Sequence, residues 1–178
     1  MLMKERAENV QAVVSKISSF YDACEYTVEL TRHQKGKSIS APDLTEKEHD
    51  VISDLCKGTG IDLLANPLNP KKVGIHTALT SAQWGIAETG TLVLNSLSED
   101  MRIATMLAEI HVAILPVEKI RPDAESLAHE LSAVFESDTP SYTAFITGAS
   151  RTSDIERVLT VGVHGPRELH ILIVGDGA

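Results

Sequence analysis

Apolar side chains recur along this chain with two different periods. Val10, Val13, Val14, Ile17 and Phe20/Tyr21 fall at i, i+3, i+4, i+7 spacing, which predicts an amphipathic helix over residues 4–23. Residues 25–44 carry no such stripe. Tyr26 to Leu30 has the grain of a short strand, whereas Gly36 to Pro42 is polar and rich in turn formers, so the stretch is expected to be mostly loop. Thr45-Glu-Lys-Glu48 has capping-box spacing, in which hydroxyl and carboxylate reciprocally satisfy free backbone N–H groups. It predicts a helix to about Lys57, ended by Gly58 and Gly60. Asn66-Pro-Leu-Asn-Pro70 reads as a turn-rich connector.

From Lys72 onward, short apolar runs alternate with helical stripes. Val73–Ile75, Thr91–Leu94, Val112–Leu115, Thr143–Ile146, Val158–Val163 and Leu169–Val174 are rich in β-branched residues and predict strands. Several are continuously apolar, as in a sheet covered on both faces. Ile103, Met106, Leu107 and Ile110 mark one helix between them, and Leu127, Ala128, Leu131, Val134 and Phe135 mark another behind Pro122-Asp123. The alternation predicts an α/β sheet. The 178 residues fit one domain, with residues 1–70 as a helical N-terminal part and residues 71–178 as the α/β core.

Composition narrows the partners. Sixteen Lys and Arg against 25 Asp and Glu give a net charge of −9 with no dense basic run, so the attraction that drives nucleic-acid binding is missing. Cys24 and Cys56 stand apart, without the paired spacing that holds zinc or an iron–sulfur cluster. No apolar run approaches the ~20 residues of a membrane span. The expectation is a soluble, cytoplasmic protein with no metal, no membrane insertion and homo-oligomerisation left open.

Two segments carry candidate chemistry. Thr80-Ser-Ala-Gln83 has capping-box spacing and predicts a short helix through Trp84, Ile86 and Ala87, with Gly90 in the place of a helix-ending glycine. That would put Glu88 at a helix C-terminus, where the dipole disfavours a carboxylate by roughly 0.3–1 kcal/mol. Such local conflicts tend to mark functional or strained positions. Glu88 is then a general base, a nucleophile or a ligand-binding group, with the hydroxyls of Thr89 and Thr91 beside it. The plainer alternative is a carboxylate paired with an arginine.

The second segment is Ile146-Thr-Gly-Ala-Ser-Arg-Thr-Ser-Asp-Ile-Glu156. Its Ser153-Asp-Ile-Glu156 is another capping box, so the chain is expected to leave a strand, turn at Gly148 and enter a helix near Asp154. Free N–H groups at a helix N-terminus bind anions, and Arg151 adds a planar fork of donors. Gly148, Ser150, Arg151 and Thr152 thus form a candidate anion pocket. The alternative is that Arg151 pairs with Asp154 or Glu88 while the hydroxyls only cap. His164-Gly-Pro-Arg-Glu-Leu-His170 is a turn with two histidines, whose spacing matches no helical metal-ligand pair, so His164 reads as a pocket residue rather than a ligand. His76, His111 and Arg102 near element ends, and Trp84, read as structural.

Ala87-Glu-Thr-Gly-Thr91 followed by Leu-Val-Leu, then residues 146–156, then Gly162-Val-His-Gly-Pro166 and Leu169-His-Ile together resemble the lactate-utilization (LUD) domain family over residues 72–175, with Ala149 where the family usually has proline. The resemblance implies a three-layer Rossmann-like α/β/α fold similar to glucosamine-phosphate deaminases, ribose-phosphate isomerases and coenzyme A transferases. It also implies a role in bacterial oxidation of L-lactate to pyruvate, alongside partner subunits that carry the iron–sulfur clusters while this chain holds none. Carried onto the matching motifs, the candidate site is Glu88, Thr89, Gly90 and Thr91, then Gly148, Ser150, Arg151, Thr152 and Asp154, then His164 and Gly165, around a small carboxylate or phosphate. Glu88 and Arg151 are the candidate catalytic groups. Two other functions fit the same residues: a stand-alone isomerase or transferase acting on a phosphorylated or acyl-coenzyme A substrate, and a subunit that only senses a metabolite.

Overall fold

A computed structural model of the chain describes residues 1–69, 74–136, 142–152, 160–161 and 165–175. Among them are five α-helices: α1 (Leu2–Asn9), α2 (Phe20–His33), α3 (Glu46–Cys56), α4 (Glu99–Leu107) and α5 (Ala128–Phe135). The strands are β1 (Val13–Ile17), β2 (Ser38–Ser40), β3 (Asp62–Leu63), β4 (Thr77–Ser81), β5 (Trp84–Ile86), β6 (Thr91–Ser96), β7 (Ile110–Pro116), β8 (Ile120–Arg121), β9 (Tyr142–Ile146), β10 (Arg151–Thr152), β11 (Thr160–Val161) and β12 (Glu168–Val174).

The N-terminal region departs from the single helix expected over residues 4–23. α1 buries Met3 and Ala7 one helical turn apart and ends at Asn9. Gln11 takes the left-handed conformation at φ +67°, and the Ala12 N–H returns to the Ala7 carbonyl at 3.0 Å, closing the helix end. Val13 to Ile17 then runs as β1 beside β12, Val13 opposite His170 and Ile17 opposite Val174. Two β-branched residues at Val13 and Val14 suit a strand, and a parallel neighbour supplies the ladder that a local period cannot reveal. A second capping box, Ser19 with Asp22, opens α2, which extends to His33 through residues expected to be loop. The box expected at Thr45 and Glu48 is formed and starts α3.

β1, β12, β7, β4, β2 and β3 lie side by side in that order as a six-stranded sheet, parallel throughout. Residues 1–69 supply three of these strands rather than a purely helical segment. The strand expected at Val73–Ile75 is not where the sheet runs: Val73 lies outside the described residues, Ile75 precedes the strand, and β4 begins at Thr77. Ile110, grouped with a helical stripe by its spacing, starts β7.

One face of this sheet carries α2 and α3, with Cys24, Val28, Ile52 and Cys56 packed on Leu79, Val112 and Leu172. Burial pushes the Cys24 thiol up to about 12. The other face carries Ala113, Leu115, Leu169, Ile171 and Ile173, covered by Met3 and Ala7 of α1, Met101 of α4, and Leu92 and Leu94 of β6. β6 belongs to a second sheet, ordered β8, β5, β6, β9. The layer opposite α2 and α3 is therefore a small mixed sheet with two helices, not a layer of helices alone.

Candidate functional site

The Thr80–Gln83 segment makes no helix. Thr80 and Ser81 finish β4, and Trp84–Ile86 is β5, which pairs antiparallel with β6 so that Ile86 faces Thr91. Ala87 to Gly90 is the hairpin turn, held by Gly90 N–H to the Ile86 carbonyl at 3.0 Å. The capping-box spacing misleads here because Thr80 is spent inside the sheet, where its hydroxyl bonds His111. Glu88 therefore stands in a hairpin turn and not at the C-terminus of a helix over residues 80–90. Its side chain is exposed and forms no ion pair or hydrogen bond with any described residue, and its backbone N–H bonds the Pro122 carbonyl at 2.9 Å. Arg121, beside this turn, is taken by Glu130 at 2.9 Å.

The turn is wedged against the N-terminal helix. Gly90 sits at φ +68°, and a Cβ there would overlap the Ala7 backbone nitrogen. Gly148, at φ +76°, is held the same way: its Cβ would overlap the Val10 carbonyl oxygen. Both motif glycines thus rest on the end of α1. Pairing of β6 with β9 places Leu92 opposite Ile146, and hydroxyls continue the link: Thr89 to Thr91 at 2.7 Å, Thr91 to Thr147 at 2.7 Å.

Beyond Thr147 opens a cavity of about 560 Å³. Its floor is His111 and Leu169, opposite one another on β7 and β12; α4 contributes Thr105 and Met106, β9 forms a wall, and residues 147–151 and 165–166 form the rim. The two rim loops are joined by Ser150 N–H to the Pro166 carbonyl at 2.8 Å, and Gly165, at φ +143°, lies close enough that a Cβ would stand 3.2 Å from that of Ser150. Gly148, Ser150, Arg151 and Gly165 thus line one space; Thr89 and Thr91 reach it through Thr147, and Glu88 does not line it.

Arg151 and Thr152 form β10, paired antiparallel with β11. Asp154, the Ser153–Glu156 capping box and His164 lie outside the described residues, as does most of the strand expected over Val158–Val163. Arg151 is exposed and makes no ion pair with a described residue, and no Asp or Glu is among the described residues lining the cavity. An anion entering there meets a guanidinium with no described competing carboxylate.

His111 reads from the sequence as structural, and the cavity makes it a floor residue as well. Its Nε2 lies 2.8 Å from the Thr80 hydroxyl, and burial pushes the imidazole down to about 4. The residue is neutral at physiological pH. Only its strand neighbours reveal this, since β4 and β7 bring positions 80 and 111 together. The cavity also sits at the N-terminal ends of β7 and β12, whereas open α/β sheets usually bind ligands at the carboxyl ends of their strands.

Comparison with known proteins follows the motifs. The LUD domain family model matches residues 1–174. An uncharacterized protein of Neisseria meningitidis serogroup B is 35% identical over 100 residues, covering 56% of this chain and 42% of that protein. Lactate utilization protein C of Anoxybacillus flavithermus is 37% identical over 101 residues, covering 57% and 44%. The protein of the same name from Deinococcus radiodurans is 31% identical over 120 residues, covering 65% and 56%. The matched stretch spans about half the length of these relatives or less. A crystal structure of a DUF162 family protein from Deinococcus radiodurans has a TM-score of 0.62 at 18% identity, over 98% of this chain and 94% of that one, so the two share a fold.

Proposed function

The chain belongs to the LUD domain family, and from that membership we propose that it serves a lactate-utilization system, its cavity receiving a small organic anion. The finer reading is a component acting in the cytoplasm in the oxidation of L-lactate to pyruvate, with electron transfer carried by iron–sulfur partner subunits. The relatives named lactate utilization protein C support the pathway. The observation that carries the pocket is Arg151, exposed at a cavity whose described lining contains no carboxylate, in a chain of net charge −9. A protein that repels anions overall needs such a local cation to hold one. We also read residues 1–178 as one domain, and the parallel sheet as that of the glucosamine-phosphate deaminase, ribose-phosphate isomerase and coenzyme A transferase group; its six parallel strands support the latter reading.

A stand-alone isomerase with Glu88 as base is the weaker reading. A general base must come within about 2.6–3.2 Å of the proton it takes, directly or through one water, and Glu88 is on the outside of a hairpin turn away from the cavity lining. Calorimetric titration with L-lactate, pyruvate and inorganic phosphate tests the pocket. Saturable binding of at least one of them, weakened about tenfold by Arg151→Ala, is expected for a charge-assisted contact. No binding of any of the three would refute the anion pocket, and failure of tagged protein to bring down iron–sulfur subunits from lactate-grown cells would refute the assembly.

A further inference from the structure

The buried pair Thr80 and His111 fixes where the imidazole proton sits. A hydroxyl has one proton to donate, and a fully buried one needs an acceptor for it. Thr80 is fully buried, and its hydroxyl has one hydrogen-bond partner among the described residues, His111 Nε2 at 2.8 Å. The Thr80 O–H therefore donates, Nε2 accepts, and the single proton of the neutral ring is on Nδ1. Nδ1 bonds no described residue. His111 keeps 1% of its surface exposed and is among the residues lining the cavity. The space beside the ring is the cavity, with Leu169 as the neighbouring floor residue.

We propose that His111 offers Nδ1–H to the cavity as a neutral hydrogen-bond donor for an oxygen of the bound ligand, its tautomer set by Thr80. The proposal rests on the organic-anion reading of the cavity and adds to it the kind of ligand. Arg151 at the rim supplies charge and suits a carboxylate, while His111 at the floor supplies direction without charge and suits a carbonyl or hydroxyl oxygen. A 2-oxo or 2-hydroxy acid carries both functions. Burial keeps the ring uncharged across physiological pH, so the donor does not switch on and off with small pH changes. His170, one strand over on the opposite face, shows the contrast. Its Nε2 lies 3.1 Å from the Glu168 carboxylate and its Nδ1 2.8 Å from the Tyr26 hydroxyl, so both nitrogens are spent within the fold.

Long-range proton–nitrogen correlation spectra of protein carrying nitrogen-15 histidine read the tautomer directly. The expected pattern for His111 is Nδ1–H, shifting saturably as pyruvate is added and lost in Thr80→Val. His111→Asn, which keeps an amide donor near the Nδ1 position, should hold pyruvate affinity within about threefold, while His111→Gln, which moves the amide toward Nε2, should lose about tenfold, the scale of one hydrogen bond. An Nε2–H pattern in the free protein overturns the proposal. So does pyruvate binding that calorimetry detects while the His111 resonances stay fixed, an outcome that leaves the anion pocket standing. If neither pyruvate nor L-lactate binds by calorimetry, the organic-acid reading fails and the ligand role of His111 fails with it.

Discussion

The hydroxyls of Thr91 and Thr147 meet at 2.7 Å, tying the turn that carries Glu88 to the rim of the cavity. Thr91 is buried while Thr147 is exposed, so the bond runs from the interior of the second sheet to the rim. Thr91→Val keeps the shape of the side chain and removes its hydroxyl, leaving Thr89 and Thr147 without this shared partner. Urea unfolding should show a loss of about 1 kcal/mol, the net worth of an ordinary hydrogen bond. An unchanged midpoint would mean that the hydroxyl chain contributes nothing to holding the two motifs together.

Glycine substitutions separate backbone strain from close packing. Gly60, at φ +73°, has nothing within 4 Å of where a Cβ would stand, whereas Gly148, at φ +76°, would drive one into the Val10 carbonyl oxygen. Gly60→Ala should therefore cost only the left-handed backbone penalty, roughly 1–2 kcal/mol. Gly148→Ala should cost clearly more in the same denaturation series, and its cavity binding should fall as the rim moves. Equal costs at the two positions would show that α1 yields freely.

Glu88 and Arg151 do not neutralise one another in this fold, since neither makes an ion pair with a described residue. Glu88→Gln should leave stability within about 0.5 kcal/mol, as for surface positions without partners. Anion affinity in the same variant should also be unchanged. A marked loss of affinity on Glu88→Gln would bring the carboxylate into the site and revive the general-base reading.

Burial of His111 makes stability depend on pH in a defined direction. The unfolded ring binds a proton near 6.5, while the folded ring resists until about 4. Between those values the unfolded state holds more protons, so stability is full above pH 6.5 and falls as pH drops toward 4. The contribution is on the order of 3 kcal/mol, from about 1.4 kcal/mol per pH unit. Unfolding midpoints measured from about pH 7 to about pH 4 should decline more steeply for the wild type than for His111→Asn, which lacks the titrating ring. Parallel curves would mean that the ring protonates in place. Glu168 acts in the same sense lower down. Burial pushes its carboxyl up, but hydrogen bonds from His170 and Gln34 outweigh that and hold it below the usual carboxylate range, so its contribution is lost as pH falls below about 4.5.

Sequence alone determined the features whose cause is local or compositional. The Thr45–Glu48 box acts over three residues and formed as its spacing predicts. The apolar runs that became β6, β7 and β12 were legible because a covered strand must be apolar whatever lies beside it. The motif order around Glu88, Gly148 and Gly165 was legible for the same reason that the family model matches. What only the tertiary structure decided depends on partners far along the chain. Residues 13–17 keep helical spacing yet form a strand, because β12, starting at Glu168, offers a ladder that no window of sequence contains. Thr80 has the spacing of a helix cap yet belongs to β4, where His111 on the neighbouring strand takes its hydroxyl. A periodic pattern records which face of an element is apolar; the identity of the surface it meets is fixed only when the whole chain has packed.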